Sequence, residues 1–154
     1  MPSTAEYCAM GDTTTRFCSV SDRTVSGALL PCTAVAVTAT QFTQATAVSG
    51  GRLALLANRD FYSTDFYDST NPLLDAYTSG DTGVAYVLEP GQKYLWAAAA
   101  ATYTNGQELT LGASGRVAAA ASTNIVVAYF DGTTGAYSAG DLIEVEIANI
   151  YTKA

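Results

Sequence analysis

Histidine is absent from this chain, and lysine occurs only at Lys93 and Lys153. Histidine is the commonest general base in enzymes and the usual partner of a nucleophilic serine or cysteine. Without it, catalysis would have to rest on carboxylates, on tyrosine or on a cysteine that lacks its usual base. We therefore expect a protein that is not an enzyme.

Basic residues as a whole are scarce. Seven Lys and Arg are outnumbered by fourteen Asp and Glu, which gives a formal net charge of −7. This balance repels a phosphate backbone or an anionic lipid surface, and no apolar run approaches the roughly 20 residues of a membrane span. The first residues also lack the basic and apolar regions of a secretory signal. We therefore expect neither a nucleic acid nor a membrane as a partner.

The cysteines are Cys8, Cys18 and Cys32. An odd number argues against a closed disulfide framework. Zinc usually takes four ligands, and the chain has no histidine to complete such a set. We expect free thiols, with a single disulfide as the alternative, and no metal or other cofactor.

The chain is rich in short segments that alternate apolar and polar residues or contain β-branched runs, and glycine turns bound these segments. The clearest lie in residues 104–150, where alternating segments at 107–111 and 141–147 flank a β-branched run at 125–130. Segments with a period of two residues predict strands. We expect residues 104–150 to form a small β-barrel that carries no catalytic group.

Further strand signals precede this region. Residues 83–89 and 93–96 predict strands on either side of a Pro-Gly turn, residues 33–42 are rich in β-branched side chains, and residues 52–56 suit a strand or a short helix. Alanine runs at 97–101 and 118–121 favour helix by propensity, but their flanking residues favour strand. At 154 residues the chain is long enough for one domain. The predicted fold class is all-β, a small barrel or sandwich with an extended N-terminal arm.

The first thirty residues look irregular, being rich in Thr, Ser and Asp with few apolar side chains. We predict that residues 1–30 form an extended arm with some strand content, and that residues 31–154 form the β-rich domain. Two short edge strands, at about 14–20 and 23–29, are the alternative.

Two similar Phe-Tyr pairs occur close together, Phe61-Tyr62 and Phe66-Tyr67. Aromatic side chains are enriched where proteins dock, so the pairs could form a contact between subunits. They could equally be core side chains or a platform for stacking sugars.

Residues 82–147 resemble the capsid decoration, or cement, proteins of tailed bacteriophages. A strand ends in Val-Leu-Glu-Pro-Gly at 87–91, and an aromatic-apolar strand follows at 93–96. A strand opening with Gly-Gln leads to a glycine turn at 106–117, a Val-rich strand follows at 125–129, and Gly-Asp-Leu-Ile-x-Val-x-Ile closes the region at 140–147.

The resemblance implies a noncatalytic β-protein that binds the outside of an assembled phage head. It implies the major capsid protein as partner, stabilisation of the shell across capsomer boundaries, and self-association, with a trimer favoured over a dimer. Assembly would take place in the bacterial cytoplasm, with the protein ending on the capsid exterior. The capsid contacts expected in the arm are Tyr7, Met10, Phe17 and Val20, and the expected subunit contacts are Phe61, Tyr62, Phe66 and Tyr67. The alternatives are another capsid or tail protein, or a carbohydrate-binding module.

Overall fold

The computed structural model describes residues 18–48, 52–58 and 72–154. Within these ranges the chain forms β-strands and short 3-10 turns, with no α-helix, which confirms the predicted all-β class. The 3-10 turns are Pro72–Leu74 and Ala113–Gly115. In chain order the strands are β1 Ser19–Val25, β2 Ala34–Val37, β3 Gln41–Gln44, β4 Arg52–Leu56, β5 Thr82–Val87, β6 Lys93–Ala97, β7 Ala101–Tyr103, β8 Glu108–Leu111, β9 Val117–Ala119, β10 Ile125–Phe130, β11 Gly135–Tyr137 and β12 Leu142–Thr152.

The first five strands close into a barrel in the order β1-β3-β2-β4-β5. Most neighbours are antiparallel, but β1 runs parallel to β3, with Thr24 opposite Gln41 and Val25 opposite Phe42. On its other side β1 runs antiparallel to β5. Because β1 bonds to both strands it closes the barrel, which removes the exposed edges of an open sheet.

Part of the predicted arm therefore belongs to the barrel. Residues 1–17 lie outside the described residues, but Ser19–Val25 is strand β1. Val25 is fully buried and Val20 packs against the barrel core. A strand that is bonded on one side to β5 and partly on the other to β3 cannot extend freely along a shell, so only the residues before it could act as an arm.

The second sheet has the order β6-β12-β10-β8-β9 and is antiparallel throughout. Its two edge strands come together at a single parallel bridge between Ala98 and Val117, so the sheet curls without closing. The prediction of a barrel within residues 104–150 is thus wrong in its location. The closed barrel is built by strands β1 to β5, whereas the strands within residues 104–150 need β6, from outside that segment, to complete an open sheet.

The strands β7 and β11 form a separate two-stranded ribbon. Its aromatic side chains Tyr103 and Tyr137 pack on Phe130 of β10, with ring centroids 5.7 Å apart in both pairs. Strand β6 ends at Ala97 and β7 begins at Ala101, so the first alanine run connects these two strands rather than forming a helix. The small alanine side chains allow this close connection.

One apolar core joins the barrel to the second sheet. Its buried members include Leu55 from the barrel and Trp96, Leu109 and Ile143 from the second sheet. A backbone hydrogen bond of 2.8 Å from the N–H of Ala97 to the carbonyl of Cys32 also crosses the junction. The two sheets are therefore packed on each other through a continuous core, and the surface groove along their junction has fixed walls.

Candidate functional site: a cleft between the barrel and the second sheet

A cleft of about 260 Å³ opens along the junction of the two sheets. One side is formed by the segment between β1 and β2 and by the Pro72–Leu74 turn. The other side is formed by the turn between β8 and β9 and by the start of β12. The lining residues are Ala28, Leu30, Pro31, Thr33, Gln44, Leu73, Leu74, Ala97, Ser114, Arg116, Gly140 and Leu142.

The inner wall depends on a close approach of the β8–β9 turn to the barrel. Gly115 has φ +67°, and a Cβ there would lie 2.6 Å from the carbonyl oxygen of Ala34 and against the side-chain amide of Gln44. On its other side the carbonyl of Gly115 accepts a 2.8 Å hydrogen bond from the indole N–H of Trp96. Only glycine fits this contact, because it combines positive φ with no side chain.

The polar side chains on the barrel side of the cleft are engaged in internal bonds. Thr33 is 3 % exposed and donates a 2.7 Å hydrogen bond to the carbonyl of Leu30. The amide of Gln44 donates to the carbonyl of Ala34 at 2.7 Å and to the hydroxyl of Thr33 at 3.3 Å. These bonds hold the wall in place, so the cleft is preformed.

Two residues with an uncommon backbone conformation lie at this junction. Ser114, in the lining, has φ 57°, and Cys32, between the lining residues Pro31 and Thr33, has φ 59°. Residues other than glycine seldom adopt such angles, and the surrounding structure must offset the cost. Both mark positions where the backbone is bent to shape the cleft walls.

Arg116 supplies the one charged side chain among the described residues that line the cleft. It is half-buried, and among the described residues no carboxylate forms an ion pair with it. The nearby Asp141 uses its carboxylate to accept a 2.7 Å hydrogen bond from the backbone N–H of Ser138. Within the part of the chain that the structure describes, the cleft therefore presents a positive charge that no carboxylate pairs with.

The rim of the cleft is apolar. Leu30 is 38 % exposed and Leu74 is 60 % exposed, and both are among the few large hydrophobic side chains that the described surface leaves open to water. Leu73, next along the chain, is buried in the common core. A side chain entering the cleft would bury leucine surface and approach Arg116.

A second apolar surface lies at the end of β12. Three residues of β12, at 148–150, lie opposite one residue of β10, between the pairs Ala128–Ile147 and Val126–Tyr151. This bulge turns Ile150 outward, where it is 55 % exposed. The surface is small and faces solvent beside charged groups.

Those charged groups form a short network. The hydroxyl of Tyr151 donates to the carboxylate of Glu108, which also pairs with the ammonium group of Lys153 at 2.8 Å. These bonds lower the pKa of Glu108, since the bond from Lys153 and then the bond from Tyr151 favour its charged form. The same bond to Glu108, with a second to Tyr129, raises the pKa of Tyr151. Both pKa changes come from a structural network.

Other titrating groups also fall into structural pairs. A bond to Asp131 raises the pKa of Lys93, and a bond to Glu89 raises the pKa of the Cys18 thiol. Cys18 and Cys32 are free thiols. Across residues 18–48, 52–58 and 72–154, no group of three or more Cys, Asp or Glu is placed to hold a metal ion. In the same part of the chain no helix is long and apolar enough to cross a membrane.

The residues predicted for binding are mostly untested by this geometry. Tyr7, Met10 and Phe17 lie outside the described residues, as do the expected subunit contacts Phe61, Tyr62, Phe66 and Tyr67. Val20 is half-buried against the barrel core, where its side chain serves the fold. The sequence gives no signal that predicts the cleft. Leu74 and Arg116 belong to no recognisable motif and lie 42 positions apart.

Comparisons with known proteins show a likeness to a solved structure. No protein-family model matches the chain, and no curated protein matches it. Among solved structures, the chain is similar to the head fiber gp8.5 N base in bacteriophage phi29, with a TM-score of 0.53 and 12 % sequence identity. The match covers 90 % of this chain and 100 % of that one. The two proteins therefore share a fold along almost their whole length.

Proposed function

We propose that this protein is a noncatalytic structural component of a bacteriophage virion that attaches to the outside of the head. The observation that carries the proposal is the fold likeness to a phage head fiber base, which covers 90 % of this chain. It agrees with the resemblance of residues 82–147 to capsid decoration proteins, which rests on separate sequence signals. The absence of histidine supports a role without catalysis.

We further propose that the protein acts as a cement across capsomer boundaries and does so as an oligomer, with a trimer favoured. A clamp on a shell gains from several simultaneous contacts, because each contact after the first is effectively intramolecular. A Thr-rich arm with few charges suits strand addition, which relies on main-chain hydrogen bonds. Residues 1–17 contain such a sequence, and they precede the barrel strand β1.

Electron cryomicroscopy of the native particle tests the location. The expected result is density for this fold on the outer surface of the head, at a symmetry axis or between capsomers. Density inside the shell or along the tail would contradict the proposal and favour another virion part.

A pelleting assay with heads that lack the protein tests the arm. The deletion should remove residues 1–17 and spare β1, because loss of Ser19–Val25 would open the barrel. We expect the deletion to pellet with heads far less than the full chain while its circular dichroism stays unchanged. Equal pelleting of the two proteins would exclude the arm as the main capsid contact.

The aromatic pairs are tested by the combined change Tyr62→Ala and Tyr67→Ala. We expect a smaller oligomer mass in native light scattering, because the change removes two of the four proposed contact side chains. Thr102→Ala, at an exposed position of β7, is the matched control and should keep the native mass. An unchanged mass for the double variant would remove these residues from the subunit interface.

A further inference from the structure

Arg116 differs from most other cations of the described chain. Arg23, Lys93 and Lys153 each form an ion pair with a carboxylate. Arg116 has no such pair within residues 18–48, 52–58 and 72–154, although it is half-buried. A partly desolvated charge without a partner is unfavourable, so a carboxylate that reaches it gains more than one that meets a fully solvated arginine.

The residues around Arg116 favour a ligand that has an apolar side chain as well as a negative charge. Leu74 and Leu30 hold exposed apolar surface at the rim, and Leu142 and Pro31 continue that surface into the cleft. Among the described residues that line the cleft none is acidic, in a chain whose net charge is −7. Apolar side chains combined with a few convergent polar or charged groups are the usual form of a recognition site.

The cleft also needs no rearrangement before binding. Gly115 is held between the indole N–H of Trp96 and the backbone of Ala34. This places Ser114 and Arg116, on either side of Gly115, in fixed positions on the wall. A preformed site loses less conformational entropy on binding than a flexible one.

We propose that this cleft binds a segment of a partner protein in which a large apolar side chain adjoins a carboxylate. The apolar side chain packs between Leu30 and Leu74, and the carboxylate pairs with Arg116. Charge complementarity selects an acidic segment over a basic or neutral one. The source of that segment rests on the proposed function: it belongs to a protein of the phage head. The cleft is then a contact with the head in addition to the arm.

Short peptides test the site without any particle. Acetyl-Phe-Glu-amide and its neutral counterpart acetyl-Phe-Gln-amide are titrated into the isotope-labelled full chain, and amide shifts are followed by NMR. We expect both to shift signals of residues lining the cleft, with the Glu peptide bound about two- to fivefold more tightly, as for a partly exposed ion pair. Arg116→Gln should abolish the preference, whereas Arg52→Gln, an exposed residue of β4 outside the lining, should retain it.

A variant at the rim separates the apolar contribution to peptide binding from the contribution of the ion pair. Leu74→Ser, at a side chain that is 60 % exposed, should leave the fold intact and weaken both peptides equally. Equal affinity for the two peptides, shifts away from the cleft, or a preference that survives in Arg116→Gln would overturn the site. Concentration-dependent shifts of the cleft signals without peptide would identify a second copy of the chain as the occupant and overturn the choice of partner.

Pelleting with heads then distinguishes this inference from the proposed function. Arg116→Gln should pellet less than the unaltered chain, and Arg52→Gln should pellet equally. If the unaltered chain binds heads and Arg116→Gln binds as well, the head is not the occupant of the cleft although the proposed function stands. If the peptide preference holds and the unaltered chain binds no heads, the site stands and the proposed function fails.

Discussion

Replacing Gly115 with alanine should reveal how strongly the barrel depends on its contact with the second sheet. The residue has φ +67°, which costs an L-residue about 1 kcal/mol or more. Its new Cβ would also lie 2.6 Å from the oxygen and 2.8 Å from the nitrogen of Ala34, where the backbone must shift. Overpacking of this kind costs about 1–3 kcal/mol. The expected loss of unfolding free energy is therefore about 2–4 kcal/mol.

Gly106 offers a matched control. Its φ is +81°, but a Cβ there would meet nothing within 4 Å, so Gly106→Ala carries the backbone cost without the clash. For a chain of this length, about 1 kcal/mol lowers the melting temperature by about 2–4 °C. Thermal unfolding followed by circular dichroism should show a loss of about 4–16 °C for Gly115→Ala and only about 2–4 °C for Gly106→Ala. Equal losses would mean that the close approach of the turn to Ala34 contributes nothing to stability.

Three further outcomes are expected. Tyr103→Phe removes a buried hydroxyl that donates a 2.8 Å bond to a backbone carbonyl, and urea unfolding should show a loss of about 1 kcal/mol; a gain in stability would contradict the role of that bond. Tyr151→Phe removes a donor from Glu108, so NMR titration should find the pKa of Glu108 higher than in the unaltered chain. Because the folded pKa of Glu108 is depressed, its contribution to stability is present above the unfolded pKa and is lost as the pH falls through the folded pKa. An unchanged titration of Glu108 in Tyr151→Phe would refute the network. Ile147→Ala, at a side chain 4 % exposed, should cost about 2–5 kcal/mol, whereas Ile150→Ala, 55 % exposed, should stay within about 0.5 kcal/mol, and similar losses would refute the bulge assignment.

Local patterns predicted the strands well. The alternating residues of β8 and β12 and the β-branched run of β10 are strands, and the predicted turns fall between them. Alternation has a period of two residues, so a few neighbours suffice to reveal it. The length of β12 was underestimated, because its bulge at residues 148–150 breaks the alternation that marks its first half.

Strand pairing could not be obtained in the same way. Barrel closure depends on the parallel contact of β1 with β3 and on the antiparallel contact of β1 with β5, which joins Ser19 to Tyr86. No local signal reports a pairing across 67 positions. Local patterns therefore predict a barrel in the last third, where the strand signals are clearest, whereas the closed barrel consists of strands β1 to β5.

The sequence by itself determined what chemistry the chain has available and which segments are extended. The absence of histidine and the net charge of −7 belong to the residue inventory, which needs no structure to be counted. Only the tertiary structure decided that Gly115 would meet Ala34 and that Leu74 would stay exposed while Leu73 is buried. It also placed Arg116 in the same cleft, where no carboxylate of the described residues pairs with it. These relations arise from packing between strands that are distant in the chain. The charge of Arg116 can be read from the sequence, but whether a described carboxylate pairs with it depends on the residues folded around it.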